Sequence, residues 1–315
     1  MRNAFVRALI DSARHDDRIF LLVGDLGFSV VEPFATEFPS RFVNVGVAEQ
    51  NMMAVAAGLA ISGKIVFTYS IVNFATLRCL EQIRNDVCYH NANVKVIAIG
   101  GGVSYGILGM THHGTEDIGA LRILPNMKVV CPGDALEADL ATRSLAQTDG
   151  PAYLRLAKAG EPAIHAAPPQ FEIGKAIELR SGRDVVFLAT GPILKNALEA
   201  GDRLTSVGIA AGVYSVHTVK PIDARLIARL VDETPVILTI EEHGLCGGLG
   251  SAVAEVMAEI PRKHCCLRRI ALPEGFIKEV GSQEYLRSAS LSVQALVAQA
   301  KGILATPGFI RAACG

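Results

Sequence analysis

Arg41-Phe-Val-Asn-Val-Gly-Val-Ala-Glu-Gln-Asn-Met-Met53 is the stretch from which the rest of the chain can be read. Its apolar run over residues 42–45 reads as a buried strand, Gly46 as the turn, and a helix begins near Ala48, which puts Glu49 in the first helical turn. Ala54, Ala56, Ala57, Gly58 and Ala60 follow and let something pack closely against that helix. An acidic side chain at this place has an ordinary explanation, because it favours the positive end of the helix dipole and can satisfy free backbone N–H groups.

The same unit of apolar run, turn and helical pattern recurs on both sides. Runs rich in valine and isoleucine at residues 19–23, 64–68, 94–99 and 127–130 read as further strands, with helices between them. That alternation predicts an α/β fold, since parallel strands need long crossovers and those are usually helical. Periodicity stops over residues 159–169, where Gly160, Pro162, Pro168 and Pro169 mark a linker. Beyond it, strands at 184–189, 208–213, 235–240 and 265–270, with helices at 196–204 and 251–260, predict a second α/β domain. The expected organisation is two parallel-sheet domains, residues 1–165 and 175–315.

Composition narrows the function classes. With 30 Lys plus Arg against 31 Asp plus Glu among 315 residues, there is no basic field for nucleic acid or an anionic membrane. No apolar run reaches the roughly 18 residues of a membrane span, and the first residues lack the layout of a signal peptide. Seven cysteines include no C-x-x-C pair, so free thiols in a reducing cytoplasm are the expectation. The Gly-rich stretch 100–114 does not match G-x-G-x-x-G, which leaves a stand-alone dinucleotide fold unsupported.

Phe42-Val-Asn-Val-Gly-Val-Ala-Glu-Gln-Asn-Met resembles the signature of the pyrimidine-binding domain of transketolases, shared with deoxyxylulose-phosphate synthases and, more distantly, with β subunits of 2-oxoacid dehydrogenases. Val23-Gly-Asp-Leu26, Leu80-Glu-Gln-Ile-Arg84, Thr111-His-His-Gly114, Leu121-Arg-Ile-Leu-Pro-Asn-Met127 and Cys131-Pro-Gly-Asp134 follow in the family's order. Lys220-Pro-Ile-Asp223 and Glu241-Glu-His-Gly-Leu-Cys-Gly-Gly-Leu-Gly250 are similar to the carboxy-terminal domain of the same enzymes.

The resemblance implies thiamine diphosphate as cofactor, with Glu49 hydrogen-bonding N1′ of the aminopyrimidine and favouring its imino form. Burial in an apolar pocket is expected to help the carboxyl share that proton. Ile71, Phe74 and Leu77 match the slot that holds the pyrimidine, with only Phe74 aromatic; an amphipathic helix is the ordinary alternative for that spacing. Asp25 and Leu26 fall on the cofactor side. His112 matches the histidine that contacts substrate oxygens and shuttles protons, with His113 beside it; a solvated or capping pair is the alternative.

Arg2, Ser29 and Lys158 match contacts to a substrate phosphate, where solvated charge is the alternative for the two cations. Three departures alter the sugar-reading surface: Gly100 replaces a histidine, Leu108 an aspartate and Met110 a proline. Losing an acid to leucine removes an acceptor for a substrate hydroxyl.

The Gly-Asp-Gly element and later Asn that hold Mg²⁺ and the diphosphate have no match: Gly24-Asp25-Leu26 and Gly133-Asp134-Ala135 fail at the third position. A separate N-terminal transketolase subunit is therefore expected to hold both, in an α2β2 assembly. The expected activity is transfer of a two-carbon ketol unit from a ketose-type donor to an aldehyde. The alternatives are a 2-oxoacid-using thiamine enzyme or a non-catalytic partner subunit.

Overall fold

The structure is a computed structural model that describes residues 1–261 and 265–305. In chain order it forms α1 (Arg2–His15), β1 (Ile19–Val23), α2 (Glu32–Glu37), β2 (Phe42–Asn44), α3 (Glu49–Ile61), β3 (Ile65–Ile71), α4 (Val72–Ala75) and α5 (Leu80–Gln82). A π-helical stretch, Ile83–Cys88, extends α5 before β4 (Val94–Ile99), α6 (Asp117–Arg122), β5 (Lys128–Val130), α7 (Ala135–Ala146) and β6 (Ala152–Leu156). The second half carries β7 (Ile177–Arg180), β8 (Val185–Thr190), α8 (Leu194–Thr205), β9 (Ala211–Ser215), β10 (Thr218–Lys220), α9 (Ala224–Glu233), β11 (Val236–Glu241), α10 (Leu249–Ala258), β12 (Cys266–Ile270), α11 (Gln283–Arg287) and α12 (Val293–Leu304).

Two sheets result, ordered β10-β5-β6-β4-β3-β1-β2 and β12-β11-β8-β9-β7. Each is parallel except at one edge, where β10 runs against β5 and β7 against β9. The central strands are apolar on both faces, as parallel strands covered by helices must be. In β3 every residue but Ile71 is buried. Phe5 of α1 stacks on Tyr69 at 5.9 Å on one face of the first sheet, and Met52, Met53, Ala56 and Ala57 of α3 are buried on the other.

Nine expected strands appear, two of them with the bounds read from sequence, β1 and β4. The sequence pattern missed β6, β7 and β10. β10 is three residues long, and it belongs to the second half of the chain yet pairs with β5 of the first. One amphipathic helix through 71, 74 and 77 does not form. Ile71 ends β3, Phe74 lies in the single turn α4, and Leu77 opens a 3₁₀ turn, with Thr76 at φ −117°, ψ −80° breaking the path between them.

Parallel α/β sheets bind at the carboxyl ends of their strands. Across the order β6-β4-β3-β1-β2, those ends deliver Lys158, Gly100, Ile71, the Gly24-Asp25-Leu26 loop and the Gly46 turn into Glu49.

Candidate active site

Gly46, at φ +74°, turns the chain out of β2 so that α3 starts at once with Glu49, preceded by an Ala48 that provides no side-chain cap. The Glu49 side chain is 1% exposed. It crosses to β3 and beyond: Ser70 Oγ donates to Oε1 at 3.1 Å and Arg78 Nη1 to Oε2 at 2.7 Å. The expectation of an apolar surround is corrected here, because a hydroxyl and a guanidinium compensate the carboxylate's lost hydration. Gly24 lets the β1 loop approach, since a Cβ at that position would lie 3.3 Å from Glu49 Cγ.

The β1 and β2 loops are tied together beside it. Asn44 Nδ2 donates to Asp25 Oδ1 at 2.9 Å, and Asn44 Oδ1 accepts from the N–H groups of Asp25 and Gly46. Asp25 sits at φ 54°, an Asp-tolerant left-handed position, and Leu26 packs into the α1 side of the core. Asp25 therefore shapes the loop through Asn44, and Leu26 anchors it.

Of the three residues expected to form the slot, Ile71 directly follows Ser70 at the end of β3 and is half-buried like Phe74, while Leu77 is 39% exposed. Arg78 joins two parts of the site, because its Cζ lies 4.2 Å from the Phe74 centroid while Nη1 holds Glu49. Phe74 also meets the His112 ring edge-on at 5.3 Å. His112 Nδ1 pairs with Thr111 Oγ1 at 2.9 Å, and Asn73 Nδ2 donates to the Thr111 carbonyl at 3.1 Å. Glu49, Arg78, Phe74 and His112 thus form one connected series.

The series continues to Tyr105, which sequence reasoning missed. Its ring lies 5.8 Å from that of His112, and Lys158 Nζ sits 4.8 Å from its centroid. Gly100, at φ +88°, is bare because this ring covers it: a Cβ there would overlap Tyr105. The side chain over position 100 is therefore a phenol supplied from within the loop. Burial pushes the Tyr105 hydroxyl above its usual range and that of Tyr69 up to about 12, with the Arg2 charge opposing both shifts.

The remaining expected residues divide. Arg2 and Lys158 attend the tyrosines, whereas Ser29 lines a cleft against α1 with Asn3, Arg7 and Pro33. Leu108 is 48% exposed. His113 is fully buried, and burial holds it below the usual histidine range, so only His112 of the pair presents its ring near Phe74. Among the described residues no group of three or more His, Cys, Asp or Glu is placed to hold a metal ion. None of the helices described is long and apolar enough to cross a membrane.

A buried acid set at a strand-end crevice, with an aromatic wall and a histidine beyond, defines an α/β chain of enzyme type. Descriptions of the transketolase pyrimidine-binding domain and of the transketolase C-terminal domain match residues 1–160 and 174–296. A 6-deoxy-6-sulfo-D-fructose transketolase subunit from Clostridium sp. (strain MSTE9) is 40% identical over 291 residues, covering 91% of this chain and 88% of the relative. An apulose-4-phosphate transketolase subunit from Phocaeicola vulgatus is 37% identical, with 90% of each chain covered.

A solved structure described as a split gene transketolase, inactive beta4 tetramer, superposes with TM-score 0.86 at 37% identity, covering 96% of this chain and 97% of that one. The chain belongs to the transketolase family. Both of its domains are the α/β domains of that family.

Proposed function

We propose that this chain is the C-terminal subunit of a split transketolase, which moves a two-carbon ketol unit from a ketose-type donor to an aldehyde acceptor with thiamine diphosphate. The observation that carries the reading is the buried Glu49 carboxylate, held by Ser70 and Arg78 at the strand-end crevice next to Phe74. That arrangement fits the pyrimidine half of the cofactor, because the buried carboxylate can meet a ring nitrogen and Ile71, Phe74 and Leu77 offer apolar surface. When bound, the cofactor supplies the carbanion chemistry. Glu49 holds a proton at ring N1′, Phe74 and its neighbours orient the ring, and His112 stands where a substrate oxygen takes or gives a proton.

Arg2 and Lys158, which both attend Tyr105, are the groups we assign to an anionic end of the donor, whereas Ser29 lines the cleft against α1 instead. The names of the two relatives above specify a sulfo sugar and a sugar phosphate, both anionic, which supports this assignment. Mg²⁺ and the diphosphate belong to a partner N-terminal subunit in an α2β2 assembly. Three features support partners: the relatives are named subunits, one solved relative is titled a tetramer, and α3 exposes Ala54, Val55, Gly58 and Ile61 on its outer side. An apolar helix with an exposed small-residue face is suited to packing against another chain. The six described cysteines are all free, in keeping with a cytoplasmic protein.

Leu108 favours a second reading, a thiamine enzyme acting on a 2-oxoacid, because an exposed leucine stands where an acid would read a sugar hydroxyl. The test is to co-purify this chain with a chain carrying a transketolase diphosphate-binding domain and assay donors with thiamine diphosphate and Mg²⁺. Ketol transfer that needs both chains is the expected result. CO₂ release from pyruvate without ketol transfer supports the second reading, and a pair that does neither overturns both.

A further inference from the structure

We infer that the second domain sets the geometry of the active site, with Glu242 as a positioning residue that holds the His112 loop. The inference rests on the proposed role of that loop in substrate contact. Glu242 directly follows β11 and is 2% exposed, and its carboxylate points out of its own sheet into the first domain. Oε1 accepts from the backbone N–H of Val103 at 2.8 Å. Gln283 Nε2 donates to both oxygens at 3.0 and 3.1 Å and also to Ser104 Oγ at 3.1 Å. Arg287 Nε donates to Oε2 at 2.9 Å. Gln283 and Arg287 both come from α11, so one carboxylate joins β11, α11 and the start of the loop.

The loop is built to receive it. Gly102, at φ +67°, must lack a side chain, because a Cβ there would lie 2.5 Å from Glu242 Cγ. Gly102 and Gly114 exchange two backbone hydrogen bonds of 2.8 Å, which draws both ends of the Tyr105 to His112 segment together on the Glu242 side. Arg155 of β6 holds the far end, donating from Nη2 to the carbonyls of Gly114 at 2.6 Å and Glu242 at 3.0 Å. Its Nε binds Asp117 Oδ2 at 2.7 Å, and Tyr153 binds the same carboxylate. Gly244 N–H donates to the Thr115 carbonyl at 2.8 Å. His112, which meets Phe74, and Tyr105, which meets His112, therefore ride on a segment whose ends are both bound to the turn after β11.

Buried charge-assisted contacts of this kind fix position more than they add stability. Glu49 and Arg78 lie outside the clamp, so loosening it separates substrate positioning from cofactor binding. The experiment uses the full chain, with its partner subunit for kinetics, and compares Glu242→Ala, Glu242→Gln and Gln283→Ala. Backbone hydrogen exchange over residues 102–114 reads the clamp directly and needs no cofactor.

The expected result is at least ten-fold faster exchange there in Glu242→Ala and a smaller rise in Gln283→Ala. Exchange in α3 stays unchanged. In the complex, donor KM rises and kcat/KM falls about ten-fold, thiamine diphosphate affinity stays within two-fold, and Glu242→Gln recovers part of the loss. Unchanged exchange across the loop overturns the clamp, as does a lower melting temperature with unaltered KM and kcat. If Glu242→Ala does not fold, Gln283→Ala at the surface end decides by the same readings. A wild-type complex that binds no thiamine diphosphate refutes the functional reading, while the exchange comparison still judges the clamp.

Discussion

Arg78→Met removes the charge partner of a carboxylate that has almost no contact with water. The Glu49 side chain is 1% exposed and that of Arg78 42%, with 2.7 Å between Nη1 and Oε2. Breaking a fully buried pair costs about 3–5 kcal/mol. Here the arginine is partly in water before and after the change, and screening at that end brings the expected cost to about 2 kcal/mol. Part of it, about 0.5 kcal/mol, is the lost stacking over Phe74. In a Glu49→Gln background no buried charge is left uncompensated, so Arg78→Met should cost only that stacking part.

The two changes are therefore coupled by about 1.5 kcal/mol. Hydrogen exchange of peptides from α3 and β3 reads the unfolding of the first domain itself. The expectation is some 30-fold faster exchange in Arg78→Met, corresponding to about 2 kcal/mol. In the Glu49→Gln background the same change should give no more than about three-fold. Costs that add across the cycle to within about 0.3 kcal/mol would refute the reasoning, because Arg78 would then not be compensating Glu49.

His217 stacks on Phe171 with 4.0 Å between centroids, and burial lowers it to about 4. Because the unfolded chain takes up the proton near the ordinary value of about 6.5, stability is full above that pH and falls as pH drops, by about 3 kcal/mol once pH 4 is reached. Acid titration of the unfolding midpoint should show this slope, and His217→Gln should flatten it. Gly100→Ala should displace the Tyr105 ring and cost about 1–3 kcal/mol, with Tyr105→Ala restoring part by making room; a thermal melt unchanged by Gly100→Ala would count against the packing described. Leu108→Asp should lower KM for polyhydroxylated donors more than for 2-oxoacids, and steady-state kinetics on both classes would check it.

The fold was largely legible because parallel strands buried on both faces leave continuous apolar runs, as in β1 and β4. β10 was not, since three residues that complete the sheet of the other half of the chain carry no local signal. In the site, Glu49 stands out through its place after a strand and a glycine; it sits in the first turn of α3, and its carboxylate is held by Ser70 and Arg78. Tyr105 and Arg78 were hidden for a different reason. Each acts through a contact made by folding, one over a glycine five positions earlier in the same loop and one on a residue 29 positions away. The motif singles out His112, but the full burial of His113 beside it carries no sequence signal, because neighbouring positions in a loop can face opposite ways.

Exchange of the thiamine diphosphate C2 proton in the assembled two-chain complex, followed by NMR in deuterated water, is the measurement closest to the central claim. Fast exchange in the wild-type complex, lost in a Glu49→Gln complex that still assembles and binds the cofactor, is the predicted result. Exchange at the wild-type rate in Glu49→Gln would contradict the catalytic role assigned to that carboxylate and, with it, the placement of this chain's active site.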